Sequence, residues 1–471
     1  MGHYDDLADS KFETGFPTRE TSISLRNELV FQRAVQSYLW SLPAINIWAM
    51  KEGSESTFGA GYNVLPIWQN RIDAKTLVTT PNFDVVYAMG YLDLDKYGPL
   101  VVEAPAGVQG IFDDFWQRPI VGPTIEGHTW KGDVGLAGPD AGSGATYVLL
   151  PPGYSGPEPA EGYIYRSRTN NVFLFWRAFF ADPADLSPAV NRIESTVIYP
   201  LGQKDGALPM QFPRASGVEC NMLFPQDGTY FEMLDRFIQS EAVDPYDLDL
   251  RGFLHTLGIE KGKAFDPTPD DRELLDKAAR TAFKMSKVTV TSLLALEPGG
   301  TYYPNQPWVN TFAGENTEFQ SSGTFTNLEQ RGAFFTAAYS NSPGMVVNIV
   351  DKGAKYPATM KDSEGNWLDG GELVLTSSTS GLARGAFLVS CSLRQRHRVR
   401  PRQRTTLPLG QHDGQTNDQP RRVTRHLLRA DQAERCRRDE LAPNSAGKGL
   451  LRDPSSLRPW QAILRPDMDA R

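Results

Sequence analysis

The densest group of residues that could carry out chemistry is the run DDFWQR at residues 113–118. In an extended strand alternate side chains point the same way, so Asp114, Trp116 and Arg118 would share one face. A carboxylate, an indole and a guanidinium on one face suit a sugar or another small polar ligand, with the Trp116 ring as a stacking surface. The alternative is structural, an ion pair between Arg118 and Asp114 beside a tryptophan of the core. The residue types leave both interpretations open.

A second polar pair, Asn82 and Asp84, stands directly before a β-rich run. At the rim of a sheet these side chains would bind a ligand, whereas the alternative is an Asx-type turn that leads into the strand. Together with Asp114, Asp84 would supply the two carboxylates of acid–base catalysis if burial raised the pKa of one of them. We therefore predict Asp84 and Asp114 as catalytic candidates, and Asn82, Trp116 and Arg118 as substrate-binding candidates.

Arg166 and Asn170 follow the start of one β-rich run and precede the very aromatic run VFLFWRAFF at residues 172–180. An arginine there could bind an anionic group through two parallel hydrogen bonds, so both residues are further substrate-binding candidates. A structural salt bridge of Arg166 is the alternative.

No metal-binding or cofactor-binding motif is recognisable in the sequence. Before residue 385 the histidines are His3, His128 and His255, and none pairs with another at metal-ligand spacing. We predict no cofactor and no metal, with a site built from His128 and remote carboxylates as the alternative. The three cysteines are too few for a disulfide framework or a cysteine-based zinc site.

The formal net charge of −8 is the sum of two unlike parts. Residues 1–384 contain 30 Lys+Arg against 47 Asp+Glu, whereas residues 385–471 contain 18 against 9. A uniformly basic nucleic-acid-binding protein is thereby excluded, and we expect no nucleic-acid partner. No apolar run is long enough to span a bilayer, and no secretory signal is visible at the N-terminus, so the sequence as written predicts a cytoplasmic protein.

The elements that must position these residues are readable from periodicity. A helical pattern (Phe31, Ala34, Val35, Tyr38, Leu39 and Leu42) precedes Pro43, which should end or kink the helix. Short β-rich runs punctuated by proline and glycine follow over residues 76–180 and indicate an antiparallel sandwich or barrel. Helical patterns occupy residues 187–288 and 328–340, and a hairpin with its turn at residues 363–366 starts a second β region.

We therefore predict an α+β fold with two mostly antiparallel, jelly-roll-like β-sandwich domains, an N-terminal helix and a helical connector. The predicted divisions are a disordered N-terminus (1–20), a β-rich domain with its leading helix (21–200), the connector (201–327), an incomplete second β domain (328–384) and an arginine-rich disordered tail (385–471).

Several long blocks resemble one bacterial family. They include ELVFQRAVQSYLWSLPAIN (28–46), LVTTPNFDVVYAMGYLDL (77–94), DDFWQRP (113–119) and YRSRTNNVFLFWRAFF (165–180). This family pairs the domain of unknown function numbered 1254 with the one numbered 1214, the latter represented here by Gln330-Arg331 and DSEGNWLDGG (362–371). The resemblance implies two β-sandwich units with helical additions, and it adds Tyr87, in the second block, to the substrate-binding candidates. Many relatives begin with an export signal, so a mis-assigned start would imply a periplasmic protein. No reaction of the family transfers to individual residues.

The arginine-rich tail (385–471) can encode a different amino-acid sequence when its codons are read in a shifted frame. Residues 388–408, reverse-translated and read one nucleotide later, can spell WSVVVYDSDTASGLDNGQPFP, which is similar to the strands that the second domain should have there. We infer a frame change near residues 376–386. The alternative is a basic arm that binds nucleic acid or acidic lipid through its arginines.

Three hypotheses of function follow. The first is an enzyme acting on a small polar or sugar-like substrate in a cleft of the first β domain, near Asp84, Asp114, Trp116 and Arg166. The second is a non-catalytic protein that binds a carbohydrate or another small ligand. The third is a structural protein whose β domains assemble into a homo-oligomer.

Overall fold

The structure is a computed structural model that describes residues 2–293, 300–301, 308–310, 316–320, 323–346, 357–362 and 364–368. The arginine-rich tail, the inferred frame change and part of the predicted second β domain lie outside the described residues.

Nine helices occur in the described part of the chain. They are α1 (His3–Ala8), α2 (Arg19–Phe58), α3 (Leu94–Tyr97), α4 (Ser187–Glu194), α5 (Thr229–Ser240), α6 (Leu248–Thr256), α7 (Pro269–Val288), α8 (Leu328–Ala337) and α9 (Pro343–Val346). Short 3₁₀ turns cover Lys204–Gly206 and Pro245–Asp247, and a π-helical turn, Thr289–Leu293, continues α7.

The described strands are mostly short. They are β1 (Phe12–Glu13), β2 (Phe16–Pro17), β3 (Thr76–Leu77), β4 (Val86–Asp93), β5 (Leu100–Ala104), β6 (Val108–Asp114), β7 (Val121–Ile125), β8 (His128–Lys131), β9 (Asp133–Gly135), β10 (Ala145–Leu150), β11 (Tyr163–Arg166), β12 (Asn171–Ala178), β13 (Val197–Pro200), β14 (Cys220–Asn221), β15 (Val309–Asn310) and β16 (Pro357–Ala358).

Two sheets form the β-rich part of the molecule. The six-stranded sheet has the order β13-β5-β10-β11-β7-β8, and the four-stranded sheet has the order β4-β12-β6-β9. The pairing is antiparallel except between β10 and β11. One hydrophobic cluster joins the inner faces of the two sheets, with Phe112 and Trp176 on one side and Tyr147 and Tyr165 on the other. The α+β prediction is confirmed, with one sandwich in the described residues.

The other face of the four-stranded sheet is covered by helices. Its outward residues Ile111, Phe173 and Phe175 share a second hydrophobic cluster with α2, α5, α7 and α8. Strand side chains alternate between faces, so β4, β6 and β12 contribute to both clusters and read as apolar runs rather than alternating ones. The result is a three-layer arrangement of sheet, sheet and helices.

Helix α2 is longer than its sequence pattern predicts. Pro43 lies inside it, so the helix does not end at this proline, which is one of the two outcomes that the sequence predicts. Proline removes one helical hydrogen bond, but residues 40–50 are buried on all sides, and this packing outweighs the loss. The carbonyl of Pro43 accepts a hydrogen bond from Gln117 Nε2 at 2.6 Å.

Other local predictions are confirmed. Within the helical pattern predicted over residues 187–288, α7 forms, and Thr268 caps it by accepting the N–H of Asp271 at 3.2 Å. The predicted hairpin turn is present, with an antiparallel bridge between Lys361 and Trp367 and with Gly365 at φ +87°. Among the described helices, none combines the length and apolarity needed to cross a bilayer.

Candidate functional site

The site is built on the helix-facing side of the four-stranded sheet. On the central strand β12, Phe173, Phe175 and Arg177 point toward the helices. Asp113 of β6 pairs with Phe173, and Asp133 of β9 pairs with Ile111, which itself pairs with Phe175. Register and alternation therefore place Asp113, Asp133 and Arg177 in three successive rows of one face.

Asp113 is fully buried and binds the segment that follows α8. Its Oδ2 accepts hydrogen bonds from Ser340 Oγ at 2.7 Å and from the Asn341 N–H at 3.2 Å. Burial raises the pKa of Asp113 well above its usual range, in spite of these two donors, and the neighbouring Asp114 and Asp133 carboxylates add to the rise. The Asp113 carboxyl is therefore held in its neutral form well above the pH at which an exposed aspartate ionises.

Asp133 binds the same segment after α8, at a residue closer to the C-terminus than those bound by Asp113. It is 3% exposed, and its Oδ2 accepts the N–H of Gly344 at 2.7 Å. A Cβ atom on Gly344 would lie 3.1 Å from Asp133 Oδ1, so a side chain here would crowd this carboxyl group. Burial raises the pKa of Asp133, while nearby Ser342, the Gly344 N–H and Arg177 oppose the rise.

Several buried polar atoms of this region have no hydrogen-bond partner among the described residues. They are Asp113 Oδ1, Asp133 Oδ1, Asn341 Oδ1, Ser342 Oγ, and Nε and Nη2 of Arg177. A buried polar group without a partner costs about 1–3 kcal/mol, so such atoms gathered in one region of a folded protein call for an explanation. We call Asp113, Asp133, Arg177, Asn341 and Ser342 the buried polar site.

The 113–118 run does not form the ligand-binding face that the sequence predicts. Strand β6 ends at Asp114, and a tight turn follows in which Gln117 has φ +54°. Asp114 Oδ1 accepts the N–H groups of Trp116 and Arg118 at 2.8 and 3.0 Å, and its Oδ2 accepts Arg118 Nε at 2.7 Å. The ion-pair alternative therefore describes this turn.

Trp116 lies in the core and does not present an open stacking surface. It is 6% exposed and packs against Trp40 and Phe237, with ring centroids 4.5 and 5.6 Å away. A sugar could not reach its face without displacing these rings.

Asp84 and Asp114 are at opposite ends of the sheet. Val86, the first residue of β4, pairs with Ala178, whereas Asp114 pairs with Val172, six positions away on β12. At the rise of a strand this separation is roughly 20 Å, too far for the two carboxylates to work on one bond. The predicted pairing of Asp84 with Asp114 is wrong, because Asp84 precedes the start of β4, which is level with the start of β6 at Val108, whereas Asp114 is the last residue of β6.

The remaining residues of that region have different surroundings. Asn82 Oδ1 accepts the N–H of Asp84 at 2.8 Å, which is the Asx turn of the alternative interpretation. Tyr87 is buried, pairs with Arg177 across the strands, and exchanges a hydrogen bond with Tyr339, so it borders the buried polar site.

Arg166 and Asn170 take structural partners. The half-exposed Arg166 forms an ion pair with Glu158 on the far, six-stranded sheet. Asn170 donates its N–H to Glu241 Oε2 at 2.6 Å and its side-chain amide to the carbonyl of Ser240 at 2.8 Å, which ties β12 to the end of α5.

Glu241 should give the protein a measurable pH dependence. It is fully buried, and burial raises its pKa to about 7 although Asn170 and Asn171 donate to it. Because the folded state then binds the proton more tightly than the unfolded chain, this contribution is complete below about pH 4.5 and is lost as the pH rises through about 7. We expect the free energy of unfolding to fall by about 1–3 kcal/mol between pH 5 and pH 8 in urea titrations. Glu241→Gln should flatten this fall, and an unchanged pH slope in that variant would contradict the assignment.

The described residues contain no group of three or more histidine, cysteine or acidic side chains placed to hold a metal ion. His128 is exposed on β8, with its ring against Trp130 at 4.9 Å. A depression of about 500 Å³ lies elsewhere, on α6, where Val243, Leu254 and Arg251 are part of its lining, and it shares no residue with the buried polar site.

Sequence reasoning missed most of the buried polar site. It singled out the DDFWQR run but favoured Asp114 over Asp113, and it passed over Asp133, Arg177 and Asn341. One signal was available, since Asp113, Asp133 and Arg177 are polar side chains inside otherwise apolar strands, where a charged residue is rarely buried without a reason.

Comparison with known proteins gives a family for part of the chain. A search of curated proteins found no match. Among solved structures, the chain is similar to the VPA0106 protein from Vibrio parahaemolyticus, with 17% identity, coverage of 72% of this chain and 73% of that one, and a TM-score of 0.44. A family model described as a protein of unknown function, DUF1254, matches residues 62–200. The segment that holds both sheets of the sandwich, with Asp113, Asp133 and Arg177, is therefore similar to the DUF1254 family.

Proposed function

We propose that the protein is an enzyme that acts on a small polar substrate at the buried polar site, with Asp113 and Asp133 as its acid and base. The observation that supports this proposal is that two buried carboxyl groups on one sheet face each keep an oxygen, Asp113 Oδ1 and Asp133 Oδ1, to which no described residue is hydrogen-bonded. Structural aspartates in a core normally have all their oxygens bound, whereas catalytic ones keep an atom for the substrate.

The two carboxyl groups have different environments, which suggests different roles. Burial acts on the pKa of Asp113 with only neutral donors to oppose it, whereas the Arg177 guanidinium also opposes the rise in the pKa of Asp133. Asp113, whose pKa is raised with no cation to oppose the rise, would then serve as the acid, and Asp133 as the base. Pairs of titratable groups whose surroundings separate their pKa values are the usual pattern of acid–base enzymes.

Substrate would enter where the site reaches the surface. Arg177 and its strand neighbour Gln109 are partly exposed, whereas Asp113, Asn341 and Ser342 are fully buried. A small molecule that enters beside Gln109 would reach Asp133 before Asp113.

The proposal is tested by exchanging each carboxyl group for an amide of the same shape. We expect Asp113→Asn and Asp133→Asn to lower turnover by about 100-fold or more, because proton transfer by a positioned side chain contributes at least that much. Turnover would be followed by mass spectrometry on a panel of sugars, sugar acids and hydroxy acids. Asp205→Asn removes an exposed carboxylate and serves as the control. Ligand binding by the wild-type protein without any turnover would contradict the enzyme and favour the non-catalytic binding protein.

We also infer that the second β domain continues in another reading frame beyond about residue 380. Support comes from the shifted codons of residues 388–408 alone. Resequencing the gene across codons 370–400 tests it, since DNA that cannot encode the shifted residues rules it out.

A further inference from the structure

The guanidinium of Arg177 presents an unused binding edge inside the protein. Nε and Nη2 are both inaccessible to solvent, and neither has a hydrogen-bond partner in the described part of the chain. These are the two nitrogens on one side of the guanidinium, whose N–H groups point in parallel. Two parallel N–H groups match the two oxygens of a carboxylate or phosphate.

Within the described residues, no counter-ion uses this edge of Arg177. None of the ion pairs within the described residues includes Arg177. Asp133 is close enough to interact electrostatically, but its Oδ2 is bound to the Gly344 N–H and its Oδ1 has no partner. A buried guanidinium edge with neither an anion nor an acceptor is costly, and an anionic ligand would remove that cost.

The position of the side chain is defined by its neighbours. The Arg177 Cζ atom lies 5.7 Å from the ring centroid of Phe175, within the range of a cation–π contact. Arg177 pairs across the sheet with Tyr87 on one side and Gln109 on the other. A residue held on the central strand of a sheet is well suited to orient a ligand.

We propose that Arg177 binds the carboxylate group of a small hydroxy-carboxylate substrate, side-on through Nε and Nη2. This inference rests on the proposed function and names the substrate class of the same site. The other unpartnered atoms of the site indicate why the substrate should also carry hydroxyl groups. Asp133 Oδ1 and Asn341 Oδ1 can accept hydrogen bonds, and Ser342 Oγ can donate or accept one. They would bind the hydroxyl groups of the substrate beside its carboxylate.

A phosphate fits this site less well than a carboxylate. Beyond Arg177, the unpartnered atoms of the buried polar site are oxygens, and no lysine belongs to it. A phosphate carries more negative charge and more oxygens, and those oxygens would face the acceptors Asp133 Oδ1 and Asn341 Oδ1. A carboxylate has only the two oxygens that the Arg177 edge accommodates.

The test measures ligand binding, separately from turnover. Wild-type protein, Arg177→Lys and Arg177→Gln are titrated by calorimetry and by thermal shift with glycolate and gluconate, with neutral sorbitol and with inorganic phosphate. We expect gluconate to bind wild type at least tenfold more tightly than sorbitol does, and Arg177→Gln to lose this preference. Arg177→Lys keeps the charge but not the paired N–H groups, so its gluconate affinity should fall at least fivefold.

The controls separate this inference from a folding defect and from the proposed reaction. Circular dichroism and melting without ligand show whether each variant folds, and Arg214→Gln, which removes a half-exposed arginine paired with Glu194, should bind gluconate like wild type. Equal binding by wild type and Arg177→Gln, tighter binding of phosphate than of both carboxylates, or no carboxylate binding by wild type would overturn the inference. Gluconate binding that depends on Arg177, with full turnover in Asp113→Asn, would retain the inference and reject the proposed acid.

Discussion

Replacing Asp113 by alanine is expected to lower the free energy of unfolding by about 3–4 kcal/mol at neutral pH. The buried Ser340 hydroxyl and the Asn341 N–H donate to this carboxyl at 2.7 and 3.2 Å, and both would lose their acceptor. Each buried donor left without a partner costs about 1–3 kcal/mol, and the cavity left by the deleted carboxyl adds to that. Urea denaturation followed by tryptophan fluorescence measures the change.

Asparagine at position 113 separates the effect of losing the hydrogen-bond acceptor from the effect of losing the ionisable group. An amide keeps one acceptor oxygen for Ser340 and Asn341, and it cannot ionise. We expect Asp113→Asn to retain most of the wild-type stability at neutral pH. Because burial raises the pKa of Asp113, the wild-type carboxyl contributes most at low pH, and its contribution is lost as the pH rises through the raised value. The stability of Asp113→Asn should therefore fall less toward alkaline pH, and equal losses in the alanine and asparagine variants would contradict this account.

Gly110→Ala is expected to have the other large effect, a loss of about 3 kcal/mol or more. A Cβ atom on residue 110 of β6 would lie 2.0 Å from Cζ3 of Trp176 and 2.8 Å from Cγ2 of Val134. Trp176 is fully buried between the two sheets, so its ring has no space into which to move. Overpacking of a closed core typically costs 1–3 kcal/mol or more. The melting temperature and the near-ultraviolet circular dichroism of the tryptophans report the change.

Two further variants control for the loss of glycine and for the steric cause. Gly252→Ala lies on α6 with no atom within 4 Å of the added Cβ, so it should leave stability unchanged or raise it by about 0.5–1 kcal/mol. Trp176→Leu in the Gly110→Ala background should recover part of the loss, because the two sites share one space. Simple additivity of the two substitutions would show that the contact with Trp176 is not the cause.

Part of the candidate site could be predicted from the sequence. The DDFWQR run predicted a functional region, and one of its two aspartates does belong to the buried polar site. Choosing between them required knowing where β6 ends, since Asp113 and Asp114 point to opposite faces only while the strand continues. The predicted face of Asp114 with Trp116 and Arg118 failed because Asp114 turns the chain through its own hydrogen bonds to the next residues.

The sequence by itself determined the local elements. Helix α2 around Phe31–Leu42, the Thr268 cap of α7 and the short strands between residues 76 and 180 all follow from interactions within a few residues, which periodicity and turn residues encode directly. The division of charge between the acidic body and the basic tail is likewise a property of the sequence alone.

Only the tertiary structure decided which polar residues meet. Asp113 receives its hydrogen bond from Ser340, 227 residues further along the chain, and Asp133 receives one from Gly344, 211 residues away. Strand register sets Asp133 between the rows of Asp113 and Arg177, and burial under the helical layer then sets their pKa values. Register and burial are not local properties, because both depend on the packing of the whole sheet against elements that are distant in sequence.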